Sequence, residues 1–250
     1  MAIVVPAMGT TASFYQPFAE ALTKRGFTIL SPELPGTGAS RPRPSRNIDY
    51  GYRDLVETYL PEIVNSAKQA ANGAPVILIG HSLGSQIGTL AVASGTINID
   101  ALVTIAGGNV YYQNWDGVGA AKLLFASALF SSLTRLFGYL PGQYVGFGGP
   151  QARTLIREWS KIIRTGSFSH IADVSAYSGG TLMLAMGIEG DTFAPERSVS
   201  TLAEILGGDV EIMPKSWKGS PHSSWARTPG EIVSRIVEWL ENDIVLKCVE

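Results

Sequence analysis

The chain has 250 residues, 45% of them hydrophobic and 16% charged, with a formal net charge of -2 and a sequence pI of about 6.0. That length accommodates one large α/β core plus an insertion, and the overall charge balance offers no general attraction for nucleic acid or an anionic membrane. Cys248 is the single cysteine, so an intrachain disulfide is excluded and a reducing, cytoplasmic setting is the expectation. Met1 to Gly9 lacks the positive leader and the long apolar segment of a signal peptide. Between Lys122 and Arg135 lie twelve uncharged residues, four of them Ser or Thr, too few for a membrane span.

Ala2-Ile3-Val4-Val5 is apolar and too short for a helix, so it reads as a buried strand, followed by a loop from Pro6 to Thr11. Phe14, Phe18, Ala21 and Leu22 have helical spacing, and Gly26 closes that helix. Phe27–Leu30 is a second strand. The segment from Arg41 to Arg46, with prolines at 42 and 44, is irregular and reads as a solvated loop. Tyr52 to Ala71 reads as a long helix with a kink or restart near Leu60, because Pro61 lies inside it.

Pro75 to Ile79 is the next apolar run, and it ends in Gly80-His81-Ser82-Leu83-Gly84. A helix of small and apolar residues, Gln86 to Ala93, comes next. Strand, sharp turn and helix in that order are the setting of a nucleophile elbow. The turn strains the serine backbone, and Gly80 and Gly84 stand where only a hydrogen fits. The competing reading is a glycine-rich turn whose serine caps the helix.

Further strands are expected at Ala101–Ile105, Thr181–Met186 and Val210–Met213, with helices near Glu196–Leu206 and from Pro229 through Leu240. Alternation of strand and helix calls for an α/β fold, a doubly wound, mostly parallel sheet of about six strands. The exception is residues 109–178, where no strand pattern is read and Leu123–Phe137 and Gln151–Arg164 look helical. A stretch of roughly seventy residues between sheet strands is a helical cap or lid, not a loop. It divides the chain into a core, residues 1–108 and 179–250, and a cap inserted after the fourth strand. Its many aromatics, Phe147 among them, either line an apolar pocket over the elbow or form the cap's own small core, and the second reading is favoured for most of them.

A serine hydroxyl needs a base within hydrogen-bond reach, and the chain has three histidines. His81 adjoins Ser82 and should point away from it, beneath the turn. His170 belongs to the cap. His222 lies in the loop before the last helix, at the carboxyl edge of the sheet where the elbow lies, so it is the candidate base. The residue that orients this imidazole should follow a strand between Ser82 and His222. Asp191 meets that condition, and Glu189 is its nearest rival. Candidate oxyanion donors are the backbone amides of Leu83, just after the serine, and of Met8 in the loop after the first strand, with Gly9 as the alternative. Gly9, Tyr111, Trp115, Phe125 and Phe193 are the candidate pocket residues.

These motifs resemble the α/β-hydrolase superfamily. The matching pieces are Gly80–Gly84, Asp191 in Gly190-Asp191-Thr192-Phe193-Ala194-Pro195, His222 with Trp225 and Pro229, and the loop Glu33-Leu34-Pro35-Gly36-Thr37-Gly38-Ala39-Ser40. The cap, with Gly138–Gly142 and Trp159–Gly166, is similar to a group of uncharacterised predicted hydrolases. The sequence departs from the family at Pro6–Gly9, where many members carry His-Gly, and at Glu33, where Asp is usual and which we read as structural. It begins at what looks like the family's third strand. The resemblance implies a serine hydrolase of carboxylesterase type acting on an ester, lactone or thioester of a small, largely apolar molecule. The serine argues against epoxide hydrolase and haloalkane dehalogenase chemistry, which in this fold use an aspartate nucleophile. The alternatives are a non-hydrolytic enzyme of the same fold (lyase, cyclase or acyltransferase) and a ligand-binding receptor with little turnover. No metal spacing, phosphate loop or dinucleotide fingerprint is present, so no cofactor and no metal are expected. Monomer and homodimer both remain open.

Overall fold

A computed structural model describes residues 1–146, 148–175 and 177–247, with side chains as far as residue 242. Phe147 and Cys248, named above, lie outside the described residues. Strand β1 (Ala2–Val5) is buried at all four positions. Ala2 and Val4 pack on one face of the sheet with Ile77, Ile79, Phe18 and Ile236, while Ile3 and Val5 pack on the other with Leu78, Leu60 and Ile87. Burial on both faces is why such a strand reads as an unbroken apolar run.

A 3-10 turn, Ala12–Tyr15, leads into α1 (Gln16–Thr23), whose Phe18 and Leu22 are buried. Strand β2 is only Ile29–Leu30, shorter than the four residues expected; it is an edge strand, paired among the described residues with β1 alone. The helical run 52–71 consists of α2 (Tyr52–Asp54), a π turn (Leu55–Tyr59) and α3 (Leu60–Ala71). Pro61 occupies the first turn of α3. Its missing N–H and its ring break the regular ladder, and the wider turn just before it absorbs the break expected near Leu60.

Strand β3 (Ile77–His81), α4 (Leu83–Ala93) and β4 (Ala101–Ile105) follow. After the insertion come β7 (Leu182–Ile188), α7 (Glu196–Ala203), β8 (Asp209–Met213) and α8 (Gly230–Lys247). The main sheet has six strands, all parallel, in the order β2-β1-β3-β4-β7-β8. From β1 the chain steps outward to β2 and then returns to place β3 on the other side. The order therefore reverses between β1 and β3, and the crevice at their carboxyl ends is the topological switch point where such sheets place ligands. Met8 follows β1 there, and Ser82 follows β3.

The insertion carries α5 (Gly117–Phe137), the short antiparallel pair β5 (Tyr139–Pro141) and β6 (Pro150–Ala152), and α6 (Arg153–Thr165). Two expectations change here. The segment does contain strands, but three residues each with Pro141 opposite Pro150 give no alternation to read. Helix α5 begins at Gly117, not Leu123, and at 21 residues with a mean hydropathy of 1.4 it is long and apolar enough to cross a membrane by length and composition. It packs on α6 and β5 through the side carrying Ser127, Phe130 and Thr134.

Candidate active site

Ser82 stands between the last residue of β3 and the first of α4, with φ 52° and ψ -110°. Its amide still bonds to the Ile105 carbonyl at 3.2 Å, so the sheet ladder runs up to it, while its carbonyl already accepts the first helical bonds from Ser85 and Gln86. A strand that becomes a helix within one residue leaves no room beside it. A Cβ on Gly80 would lie 2.5 Å from the carbonyl carbon of Gly84, and a Cβ on Gly84 would lie 2.3 Å from the Val5 carbonyl oxygen. The glycines let α4 approach β1 and β3 closely enough for the hydroxyl to project into the crevice.

His222 Nε2 lies 3.1 Å from Ser82 Oγ, and its Nδ1 lies 2.8 Å from Asp191 Oδ2. The Asp191 side chain is fully buried, and that of His222 is 17% exposed. The Phe193 amide donates to the other carboxylate oxygen, Oδ1, at 2.8 Å. A carboxylate facing Nδ1 requires a proton there, which leaves Nε2 as the acceptor for the serine O–H. Glu189 points elsewhere; its carboxylate accepts from the Lys215 amide at 3.5 Å.

The loop bearing His222 is fixed through its main chain. The His222 carbonyl accepts from Trp225 Nε1 at 3.0 Å and lies 2.8 Å from His81 Nε2. His81 Nδ1 lies 2.7 Å from the Tyr15 hydroxyl, which accepts from the Ala7 amide at 2.9 Å. The His222 carbonyl can only accept, so His81 Nε2 carries the proton and donates to it, and Nδ1 accepts the Tyr15 O–H. One buried chain thus joins the residue before Met8, the elbow and the His222 loop. His81 lies beneath the turn, and Tyr15 and Trp225 pack edge-on against its ring.

Burial drives the His81 pKa well below its ordinary 6.5, the neighbouring His222 ring lowers it further, and the His222 carbonyl pulls the other way. The unfolded chain takes up a proton near pH 6.5 where the folded chain does not. Stability is therefore fully present above that pH and is lost as the pH falls below it, with a slope approaching about 1.4 kcal/mol per pH unit. Urea unfolding at several pH values should show this slope in the wild type, and the His81→Gln difference curve should isolate it.

Met8 and Leu83 line one small cleft at the crevice, together with Gly9, Leu34, Pro35, Thr37, Tyr50, Leu55, Gln151 and Leu155. Leu83 is the first residue of α4, so its N–H is among those without a partner inside the helix. The cleft measures about 10 Å³, room for about one water. The insertion forms one wall. A Cβ on Gly148 would lie 2.0 Å from the Gly9 carbonyl oxygen, so the two backbones touch. Glu33 Oε2 accepts from the Ala12 amide at 3.1 Å, a structural tie.

Of the five pocket residues read from the sequence, only Gly9 lines the cleft. Phe193 lies beside His222, ring centroids 5.2 Å apart. Trp115 donates to the Thr192 carbonyl at 2.8 Å, and Tyr111 packs on Gly166. Phe125 is exposed on α5. The aromatics in the insertion's small core are Phe130 and Trp159, stacked at 6.0 Å in a cluster with Leu140 and Ile156 against which Met8 also packs. The sequence does not single out Gln151 and Leu155, which look like ordinary positions of a helix start, and only the Gly148-Gly149 pair beside them hints at a close backbone approach. Among the described residues no group of three His, Cys, Asp or Glu is arranged to hold a metal ion.

A parallel sheet with the site at its switch point defines an α/β fold of the hydrolase type. Residues 2–236 match the family model described as alpha/beta hydrolase family, and the chain belongs to that family. No curated protein sequence matches the chain. Among solved structures it is similar to a monoacylglycerol lipase from Paleococcus ferrophilus, with a TM-score of 0.64 and 17% identity over 96% of this chain and 93% of that one. A structure from work on carboxylesterases of Nitrososphaera gargenis gives 0.61 and 16%, over 98% and 90%. MenH from S. aureus gives 0.63 and 12%, over 96% and 93%. At such identities the likeness is one of fold.

Proposed function

We propose that this protein is a serine hydrolase that cleaves an ester-type bond (carboxylic ester, lactone or thioester) of a small, largely apolar molecule, with residues 109–178 as the cap over the site. The observation that carries this reading is the hydrogen-bonded chain Ser82–His222–Asp191 at the switch-point crevice. Ser82 Oγ attacks the carbonyl carbon while His222 Nε2 takes its proton, and Asp191 stabilises the imidazolium. The Met8 and Leu83 amides hold the oxyanion; each such donor contributes about 3 kcal/mol to the transition state. Collapse breaks the bond to the alcohol or thiol, which takes the proton from His222 and departs, or in a lactone stays tethered to the acyl group. Water, deprotonated by the same nitrogen, then releases the acyl group as a carboxylic acid and restores the serine.

A fluorophosphonate probe tests the nucleophile. Stoichiometric labelling at Ser82 is expected, slowed at least about 10³-fold in His222→Ala, and labelling unchanged in that variant overturns the triad. A panel of short and long esters, lactones and thioesters tests the reaction. Labelled protein that turns over none of them refutes hydrolysis and leaves a lyase, an acyltransferase or a receptor on the same fold.

A further inference from the structure

The insertion is charged oppositely to the rest of the chain. Residues 109–178 hold six Lys or Arg against three Asp or Glu, while the remainder holds thirteen against eighteen. Four of the six cations, Arg135 on α5 and Arg157, Lys161 and Arg164 on α6, border one surface cavity of about 360 Å³ with Ser131 and Thr154. None of the four makes a salt bridge among the described residues. The one carboxylate at the cavity, Glu158, is engaged by the Tyr52 amide at 2.6 Å, and burial raises its pKa, with Asp54 and Asp49 adding to the shift and the Tyr52 amide and Arg53 opposing it. The Ser131 and Thr154 hydroxyls donate to Ser160 and Asp49, so the cavity's remaining donors are its three guanidinium groups and one ammonium group, which on a concave surface match the oxygens of a phosphate group.

The second observation is on α5. Val118, Phe125, Leu129 and Leu136 are spaced seven, four and seven residues apart, which places them in one stripe. They are 70%, 69%, 39% and 65% exposed. The stripe lies away from the side that packs on α6, with Arg135 on one flank and Lys122 on the other. An apolar face of this length, open to water and edged by cations, has the anatomy of a helix that lies in a membrane interface. A second copy of the chain is the poorer occupant. A second copy carries the same uncompensated cations, whereas an anionic surface neutralises them.

We propose that the outer face of the insertion docks on a membrane containing anionic phospholipid, the α5 stripe entering the acyl layer and the cavity at Arg135, Arg157, Lys161 and Arg164 receiving a lipid phosphate. This rests on the insertion's surface, not on the hydrolase reading. The test is flotation of the full chain with vesicles of phosphatidylcholine alone or mixed equally with phosphatidylglycerol. Binding to the mixed vesicles, weakened by added salt, is expected. Arg157→Ala with Lys161→Ala should weaken it roughly 25-fold, about fivefold for each cation. Phe125→Ser with Leu129→Ser should weaken it at least about tenfold. All four positions are exposed, and thermal unfolding checks that both variants fold. Absent flotation, or equal binding to neutral vesicles, overturns the proposal. A dimer dissolved by the Phe125 and Leu129 changes without vesicle binding assigns the face to a second copy, and saturable binding of inorganic phosphate without flotation assigns the cavity to a soluble ligand; either overturns it.

Discussion

Ser82→Ala lowers turnover of any ester the wild type accepts by at least about 10⁴-fold, and Ser82→Gly does the same. The two variants differ in stability, and in the reverse of the usual order. At ordinary helix positions glycine is about 1 kcal/mol worse than alanine. At φ 52° and ψ -110° a Cβ is strained, at a cost of about 1–3 kcal/mol. Both variants lose the hydroxyl and its bond to His222, so that loss cancels between them. The glycine variant should therefore unfold at higher denaturant than the alanine variant by about 1 kcal/mol, with the wild-type m-value. An alanine variant as stable as the glycine one would mean that the turn is not strained at Ser82, and retained turnover in either would remove the nucleophile. Strain at a residue that only caps a helix has no use. At a nucleophile it projects the hydroxyl into the crevice.

The parts of this site that could be read in the sequence are the ones written locally. The elbow lies within five residues because strand, turn and helix are contiguous, and its two glycines report backbone contacts that only a missing Cβ permits. His222 could be found by elimination among three histidines. The cleft could not, because its walls come from segments at 8–9, 34–37, 50–55, 83 and 151–155, brought together only by the sheet order and the fold of the insertion. The chain Ala7–Tyr15–His81–His222 was equally hidden. Tyr15 sits where helical spacing gives it no distinction, and His81 carries no sign that its ring reaches a carbonyl 141 residues away. The start of α5 is hidden in the sequence because Gly117 and Gly119 look like loop residues, although α5 starts just after an extended Asp116.

The candidate acid is where tautomer and geometry can be separated. Asp191 Oδ1 is held by the Phe193 amide and Oδ2 faces His222 Nδ1. In Asp191→Asn the side chain keeps its shape, but the Phe193 N–H still needs an acceptor, so the amide oxygen stays at the Oδ1 position and the NH₂ takes the place of Oδ2. An N–H donor now faces Nδ1, and His222 must carry its proton on Nε2 instead. That nitrogen can no longer accept from Ser82, and no carboxylate remains to stabilise an imidazolium. Turnover should fall about 10⁴-fold, and the rate of fluorophosphonate labelling should fall with it. Asp191→Ala tests the same step by a different route, since it leaves His222 free to choose its tautomer while losing the anion and the Phe193 contact. It should be less stable than the asparagine variant by about 1 kcal/mol, yet its defect in turnover should be no larger. Glu189→Gln, at the rival carboxylate, should retain turnover within about threefold, because among the described residues its side chain bonds to the exposed Lys215 amide and not to His222. A large loss at Glu189 with little at Asp191 would move the acid to the other side of the turn.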